Sequence, residues 1–283
     1  MKMTVYEHLT LDEERALYGI SHATVSNCLF DGPADGESAL KETSDLVVSD
    51  CDFRLRYPFW HTHHATIERC TMTDTCRAAL WYDEDISILN SKLNGIKAVR
   101  ECKRVSISDS EIVSPEFGWF SQDLTLVHTS LTAEYAFLKT SKMKLSDFTL
   151  NGKYSFQYTE DVLIENSVLN TKDAFWHSKN VTVKDSIVRG EYLGWYSENL
   201  HLIRCKIIGT QPLCYAKGLV LEDCEMEETD LSFERSDVQA TVRGEIVSVK
   251  NPMSGYVTAD NIGEIIMDES AHGSTCVITC THQ

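Results

Sequence analysis

A tryptophan followed by a polar or aromatic residue recurs along this chain at intervals close to nineteen residues or a multiple of nineteen. Aromatic rings can stack on sugar rings, and the polar tips of Tyr and His can hold hydroxyl groups. These residue types therefore predict a saccharide-binding groove, provided that the fold brings them to one surface. The residues that we expect to contact substrate are Trp60, Trp81, Tyr82, Arg100, Trp119, Tyr158, Trp176, His177 and Tyr196.

Three residues could add acid–base chemistry to this groove. Glu101 lies one repeat from Tyr82 and one repeat from Phe120, and partial burial between two rings would raise the pKa of its carboxyl group towards neutral pH. His61 and Asp83 lie within about two repeats, or roughly 10 Å at the usual spacing of strands. We therefore expect Glu101, His61 and Asp83 to form the catalytic group.

The same rows allow other interpretations. Neighbouring residues of a strand point to opposite faces, so only one row is expected to face solvent, either the tryptophan row or the row that follows it. Stacked rings could also simply stiffen a sheet. Arg100 fits a cation–π contact if its row faces outwards and a buried structural cation if its row faces inwards. Further candidates for a site are Lys172, Asp173, His177 and Glu191.

A short apolar pattern must position these rows. It recurs eleven times between Ala23 and Asp237, and its last eight copies begin nineteen residues apart. The first, third and eighth positions of a copy are apolar, as in Val105, Ile107 and Ile112. This alternation indicates strands with one buried face, and the strict period predicts a solenoid whose coils bury their apolar faces against each other. In this numbering the tryptophans occupy position fifteen, and the row that follows them is position sixteen.

The ends of the repeat suggest how the chain is organised. We expect one domain over residues 1–283, with a cap at 1–22, regular coils at 23–237 and an irregular cap at 238–283. Thr10 and Glu13 form a capping-box pattern, which predicts a short N-terminal helix that covers the first coil. Extra residues at 31–37 predict a surface loop.

Six segments of the sequence carry a family resemblance. They lie at residues 14–19, 31–42, 55–61, 76–83, 114–119 and 249–252. These segments resemble right-handed parallel β-helices of the pectate-lyase-like superfold and, more closely, a bacterial β-helix family of unknown function. The resemblance implies an all-β, right-handed, single-stranded parallel β-helix. It implies no activity, because the superfold includes lyases, hydrolases, epimerases and non-catalytic rods. Polygalacturonase motifs and an aligned Asp cluster for calcium are missing from the sequence.

Charge and cysteine content limit the class of partner and compartment. A net charge of −17 argues against nucleic acid, and no apolar run is long enough to cross a membrane. The first residues show no charged-then-apolar pattern, so we expect no secretory leader. Cysteine alternates with Ser or Thr at the sixth position of the coil, which predicts reduced thiols and a cytoplasmic location. These cysteines are Cys28, Cys51, Cys70, Cys205 and Cys224.

The C-terminal tail contains residues that could bind a metal. Cys276 and Cys280 lie near His272 and His282, but their spacing fits no strong zinc signature. We expect a disordered tail there, and no metal or cofactor.

Two functions follow from these patterns. The first is a carbohydrate-active protein that binds an oligosaccharide along the aromatic rows and acts on it as a hydrolase, lyase or epimerase through Glu101 with His61 or Asp83. The alternative is a non-catalytic β-solenoid that serves as a binding or structural scaffold. The two differ in where the side chains at positions fifteen and sixteen point, and the sequence leaves the oligomeric state open.

Overall fold

The computed structural model describes residues 3–32 and 37–281 and shows an all-β fold. It is a parallel β-solenoid of about 14 turns, with about 19 residues per turn. The chain forms two compact units, Met1–Lys144 and Leu145–Gln283. Among the described residues the only helix is a 3-10 turn at Glu269–Ala271.

Short strands separated by bends make up the first unit. They are β1 (Thr4–Glu7), β2 (Thr10–Leu11), β3 (Ser21–Ser26), β4 (Leu29–Phe30), β5 (Ser44–Ser49), β6 (Asp52–Phe53), β7 (Phe59–Trp60), β8 (His63–Glu68), β9 (Thr71–Met72), β10 (Leu80–Trp81), β11 (Glu84–Leu89), β12 (Lys92–Asn94), β13 (Val99–Arg100), β14 (Lys103–Ser108), β15 (Glu111–Val113), β16 (Glu116–Phe117), β17 (Gln122–Val127) and β18 (Ser130–Ala136).

Strand β19 (Ser141–Ser146) contains the boundary, and longer strands follow towards the C-terminus. They are β20 (Thr149–Lys153), β21 (Glu160–Glu165), β22 (Val168–Lys172), β23 (Lys179–Lys184), β24 (Ile187–Arg189), β25 (Glu198–Ile203), β26 (Lys206–Ile208), β27 (Leu219–Glu227), β28 (Asp237–Lys250), β29 (Ser254–Ile266) and β30 (Val277–Cys280).

The register of the strands confirms the predicted repeat. First positions of successive coils pair directly with each other in parallel. In the first unit these residues are Ala23, Leu46, Ala65, Ile86, Val105 and Leu124. In the second unit they are Val162, Val181 and Leu200. Like residues therefore stack on like residues, one coil above the next.

Each coil buries its apolar positions against its neighbours. Val25, Phe30, Val48 and Phe53 are all fully buried. The rings of Phe30 and Phe53 stack with their centroids 4.6 Å apart. The period-two alternation of the strands and the vertical stacking of the coils together build the core.

The predicted N-terminal helix is wrong, because residues 3–19 form another coil. Strand β1 pairs in parallel with β3, with Thr4 opposite Ala23. Arg15 has a φ of 57° and Leu17 a φ of 56°, which the interior of a right-handed helix cannot contain. The backbone N–H of Arg15 donates to Glu37 of the next coil instead of closing a helical turn. The nineteen-residue repeat therefore determines the structure of these residues, and the local capping-box pattern does not form a helix.

Parallel stacking also continues after Asp237. Strands β28 and β29 pair from Asp237 opposite Ser254 to Lys250 opposite Ile266, and β30 pairs with the start of β29. The expected disordered tail is therefore wrong for the residues of β30. His282, and residues 33–36 of the predicted loop, lie outside the described residues.

Candidate functional site

In the coils that carry the tryptophans and Arg100, positions fifteen and sixteen both face outwards, so the expectation that only one row is exposed is wrong there. Cys214 and Phe233, later at position fifteen, are buried. The backbone explains the two outward rows, because residues at position sixteen are left-handed, with φ values of 57° at His61, 58° at Tyr82 and 53° at Glu101. A left-handed residue interrupts the alternation of a strand, and the inward direction is resumed only at position seventeen. Two side-chain columns therefore lie next to each other on the outside of the coil.

The aromatic surface of the first unit consists of Trp60, His61, Trp81, Tyr82, Arg100, Glu101, Trp119 and Phe120. Strands β7, β10 and β13 hold Trp60, Trp81 and Arg100 in register, and a single bridge adds Trp119. The rings of Trp60 and Trp81 stack at 5.0 Å, and the ring of Tyr82 stacks on Trp81 at 5.3 Å. The aromatic faces thus largely cover one another.

Two side chains of this surface remain widely exposed. Tyr82 is 40% exposed and Phe120 is 42% exposed. Phe120 meets Trp119 edge-to-face at 6.0 Å, and the guanidinium carbon of Arg100 lies 5.9 Å from its ring centroid. Much of the Phe120 ring is therefore open to an apolar face of a ligand.

Glu101 is held as a carboxylate, which corrects the expected rise of its pKa. Burial acts to raise the pKa of Glu101, but hydrogen bonds from Arg100 and Tyr82, with the charge of Arg100, bring the pKa below its usual value. The Arg100 Nε–H donates to Glu101 Oε1 at 2.9 Å. The hydrogen bond that the Tyr82 hydroxyl donates to Glu101 raises the pKa of Tyr82. The carboxylate is thus poised to accept hydrogen bonds and not to donate a proton at neutral pH.

His61 is oriented by a residue that the sequence interpretation missed. Its Nδ1 lies 3.0 Å from Glu42 Oε1, and its ring meets Tyr82 at 5.3 Å. The Lys41 ammonium lies 3.7 Å from the Trp60 ring centroid. Lys41 and Glu42 come nineteen residues before Trp60 and His61, so extending the repeat backwards across the inserted loop could have found both.

Asp83 does not belong to the outer surface, which corrects its predicted role beside Glu101. It occupies position seventeen, points inwards and is 0% exposed. Its Oδ1 accepts the backbone N–H of Thr62 at 2.8 Å. Glu101, His61 and Asp83 therefore do not converge on one point.

The aromatic surface of the second unit consists of Tyr158, Trp176, His177, Trp195, Tyr196 and Tyr215. At position sixteen four rings form a continuous stack, with centroid separations of 5.0 Å, 5.1 Å and 4.9 Å. Tyr158 is 50% exposed and Tyr196 is 44% exposed. The indole N–H groups of Trp176 and Trp195 donate to backbone carbonyls of the next coil at 2.8 Å. These hydrogen bonds fix the ring orientation.

The second predicted cluster only partly comes together. Lys172 Nζ lies 3.9 Å from Asp173 Oδ2, and Asp173 is 8% exposed. Burial raises the pKa of Asp173, and nearby Glu191 raises it further against the opposing charge of Lys172. His177 instead belongs to the aromatic stack.

Two further observations concern metals and membranes. Within residues 3–32 and 37–281 no three His, Cys, Asp or Glu side chains are grouped as metal ligands. In the same part of the chain no helix is long and apolar enough to cross a membrane.

The fold and the aromatic surfaces together define the class of this protein. It is a parallel β-solenoid with two adjacent columns of outward-facing aromatic side chains. The chain belongs to the family described as Protein of unknown function (DUF3737), whose profile matches residues 4–279. This confirms the resemblance found in the sequence. No curated protein matches the sequence.

Solved structures share the fold at very low sequence identity. The chain is similar to PfbA, a surface adhesin of Streptococcus pneumoniae, with 9% identity and a TM-score of 0.53 over 85% of this chain and 84% of that one. It also matches the A-module of the Azotobacter vinelandii mannuronan C-5 epimerase AlgE4, with 10% identity and a TM-score of 0.33 over 98% of this chain and 88% of that one. The similarity to PfbA shows the fold alone and no particular activity.

Proposed function

We propose that this protein is a non-catalytic, saccharide-binding β-solenoid. The observation that carries the proposal is the doubled outward column, which leaves the aromatic side chains of position sixteen 40–50% exposed at Tyr82, Phe120, Tyr158 and Tyr196. Large aromatic side chains are rarely left exposed in a row on a soluble protein unless something covers them.

The chemistry of the surface suits a hydroxyl-rich ligand that lies along the coil axis. In the first unit Tyr82 and Glu101 offer hydrogen-bonding groups beside the apolar Phe120 ring. In the second unit, Tyr and His edges recur once per coil. A sugar unit presents hydroxyl groups at its edge and C–H groups on its faces, which match these two kinds of contact.

Binding without catalysis is favoured by the state of the carboxyl groups. Glu101 is stabilised as a carboxylate by Arg100, so it is a poor general acid at neutral pH. Asp83 lies in the core, and His61 is paired with Glu42. Glycoside hydrolysis in particular would need a protonated carboxyl group and a second carboxylate that flank one glycosidic bond.

A glycan array tests the proposal. Wild-type protein should bind at least one oligosaccharide, and Phe120→Ala and Tyr82→Ala should each weaken that binding about fivefold to tenfold, from the loss of about 1 kcal/mol of aromatic contact. Tyr256→Ala is the matched control, since Tyr256 is also 40% exposed but lies outside both columns. Binding by no glycan, or equal loss in all three variants, would overturn the proposal.

A purely structural scaffold is the second candidate, and one observation favours it. Within the second unit the four stacked rings of position sixteen cover one another's faces, as they would in a ladder that only stiffens the sheet. If the stack only stiffens the sheet, His177→Ala should lower the melting temperature, and neither the wild type nor the variant should bind a glycan.

We also propose that the protein works in the cytoplasm. All ten cysteines are free, and eight of them are buried. Buried free thiols are typical of reducing compartments. Fractionation of the source cells, followed by immunoblotting, tests this location; recovery outside the cell would contradict it.

A further inference from the structure

Position seventeen forms an inward row of small hydrogen-bonding side chains in the first unit. Every member is at most 3% exposed, and every member except Asp83 carries an O–H or S–H group. The members are Thr43, Thr62, Asp83, Cys102, Ser121 and Thr140.

Side chains in this row both donate and accept hydrogen bonds. Cys102 Sγ–H donates to the carbonyl of Arg100 at 3.2 Å, and Ser121 Oγ–H donates to the carbonyl of Trp119 at 3.2 Å. Each of these carbonyl oxygens also accepts a backbone N–H from the preceding coil, from Tyr82 at Arg100 and from Glu101 at Trp119, so the side chain adds a second hydrogen bond. The side chains also accept, since the backbone N–H of Cys102 donates to Ser121 Oγ at 3.1 Å.

An ionised Asp83 could accept hydrogen bonds in this row but could not donate one. Its Oδ1 accepts the Thr62 N–H, but its Oδ2 is buried and has no hydrogen-bond partner among the described residues. A carboxylate has no proton to donate, and a buried charge without a counter-ion costs several kcal/mol. A protonated carboxyl group both donates and accepts, as Ser and Thr do at this position.

The surrounding titratable groups offer Asp83 no positive charge. The following coil places Cys102 against it, and the preceding coil places Thr62 there, which does not titrate. Burial raises the pKa of Asp83 well above its usual value, against the opposing effect of the Thr62 N–H. Burial likewise raises the pKa of the Cys102 thiol, and the nearby Asp83 raises it further. The Asp83 carboxyl group and the Cys102 thiol therefore each favour the neutral, protonated form.

We propose that Asp83 is a neutral carboxylic acid in this row, and that its ionisation loosens the coil that presents Trp81 and Tyr82. Because Asp83 directly follows these two residues, the proposal adds a pH-sensitive element beneath the proposed binding surface. Its test needs no saccharide, so it can fail or succeed independently of the proposed function.

The direction of the pH effect follows from proton linkage. The unfolded carboxyl group ionises near pH 4, as a free Asp does, whereas the folded group keeps its proton to much higher pH. Above about pH 4 the unfolded chain therefore releases a proton that the folded protein retains, and stability falls as pH rises, until the folded group itself ionises. Below about pH 4 the neutral Asp83 contributes its full stabilisation to the folded state.

The test compares wild type with Asp83→Asn, which keeps a donor and an acceptor but cannot ionise. Urea unfolding is measured from pH 4 to pH 9. Between about pH 4 and the pH at which the folded Asp83 ionises, the ratio of the wild-type unfolding constant to that of the variant should rise about tenfold per pH unit. Asp85→Asn is the control, because the hydrogen bond from Arg104 lowers the pKa of exposed Asp85 and its substitution should not produce this rise.

A second measurement uses wild-type protein alone. Its infrared spectrum at pH 7 should contain the carbonyl band of a protonated carboxyl group, and raising the pH until the band disappears should change tryptophan fluorescence at the same midpoint. Parallel pH profiles for wild type and Asp83→Asn would overturn the proposal. If that variant fails to fold, a neutral-pH spectrum without the protonated band overturns it instead.

Discussion

At the scale of single residues, the charge pair of Arg100 and Glu101 determines what the first aromatic surface can do. Glu101 sits between two exposed rings, where burial alone would favour the neutral acid. The hydrogen bond from Arg100 reverses that tendency and keeps an acceptor fixed beside Phe120. A side chain that is held in one charge state suits recognition better than proton transfer.

Arg100→Gln should therefore raise the pKa of Glu101 above its wild-type value, because burial remains while the main stabilising charge is lost. The titration of Glu101 in a carbon-13 NMR spectrum measures this directly. Arg104→Gln is the control, since Arg104 pairs with Glu84 and Asp85 and should leave Glu101 unchanged. An unchanged Glu101 titration in Arg100→Gln would show that Arg100 does not set the charge state.

Residue types alone could predict the aromatic columns but not the charge state of their carboxyl groups. The sequence places Glu101 between Tyr82 and Phe120, and the structure confirms that order. It could not show that Arg100 folds back onto its own neighbour, because two adjacent side chains in a regular strand point apart. The inward direction of Asp83 could not be predicted either, because it depends on the left-handed conformation of Tyr82 before it, which the alternation rule of a regular strand does not include.

At the scale of elements, left-handed residues form the corners of each coil. The fifth position supplies one corner, with φ values of 55° at Asp50, 50° at Asp109 and 50° at Asp185. Asp and Asn tolerate this conformation better than most residues. The polar–small bend in the repeat was visible in the sequence, whereas the corner at position sixteen was not, because Tyr, His and Phe carry no turn signal.

Glycines at the tenth position allow coils to approach closely. A Cβ on Gly190 would lie 2.3 Å from the carbonyl oxygen of Thr171, and the Gly190 φ of 150° is accessible to almost no other residue. Gly190→Ala should lower the free energy of unfolding by about 3 kcal/mol or more, from backbone strain and overlap together. Urea unfolding measures this change.

Gly244→Ala is the matched control for that substitution. Gly244 also has a positive φ, 82°, but a Cβ there would meet nothing within 4 Å. Only the left-handed strain remains, about 1–2 kcal/mol. Equal losses in the two variants would mean that close coil contact at Gly190 contributes nothing.

At the scale of the whole molecule, one period organises both the core and the surface. It was readable from the sequence because every coil needs the same buried positions to pack on its neighbours. The N-terminal helix was mispredicted because Thr10, Glu13 and Gly19 match a local helix signature, while the decisive contact of β1 with β3 is long-range. Sequence length and composition do not reveal how such an end is closed.

The net charge of −17 also bears on the choice of ligand. An acidic protein repels anionic polymers, and exposed carboxylates such as Glu101 accept hydrogen bonds from neutral hydroxyl groups. Neutral saccharides are therefore the expected ligands, in preference to uronates or sulfated chains. The hand of the solenoid and the single-domain organisation stay predictions.

Affinity electrophoresis through gels that contain neutral or uronic polysaccharides tests the central claim most directly. At least one neutral polysaccharide should retard the wild-type protein, the double substitution Tyr82→Ala with Phe120→Ala should abolish most of that retardation, and the polymer recovered from the gel should keep its length. Absence of retardation in every gel, equal retardation of the double variant, or shortened polymer would contradict a saccharide-binding surface that performs no catalysis.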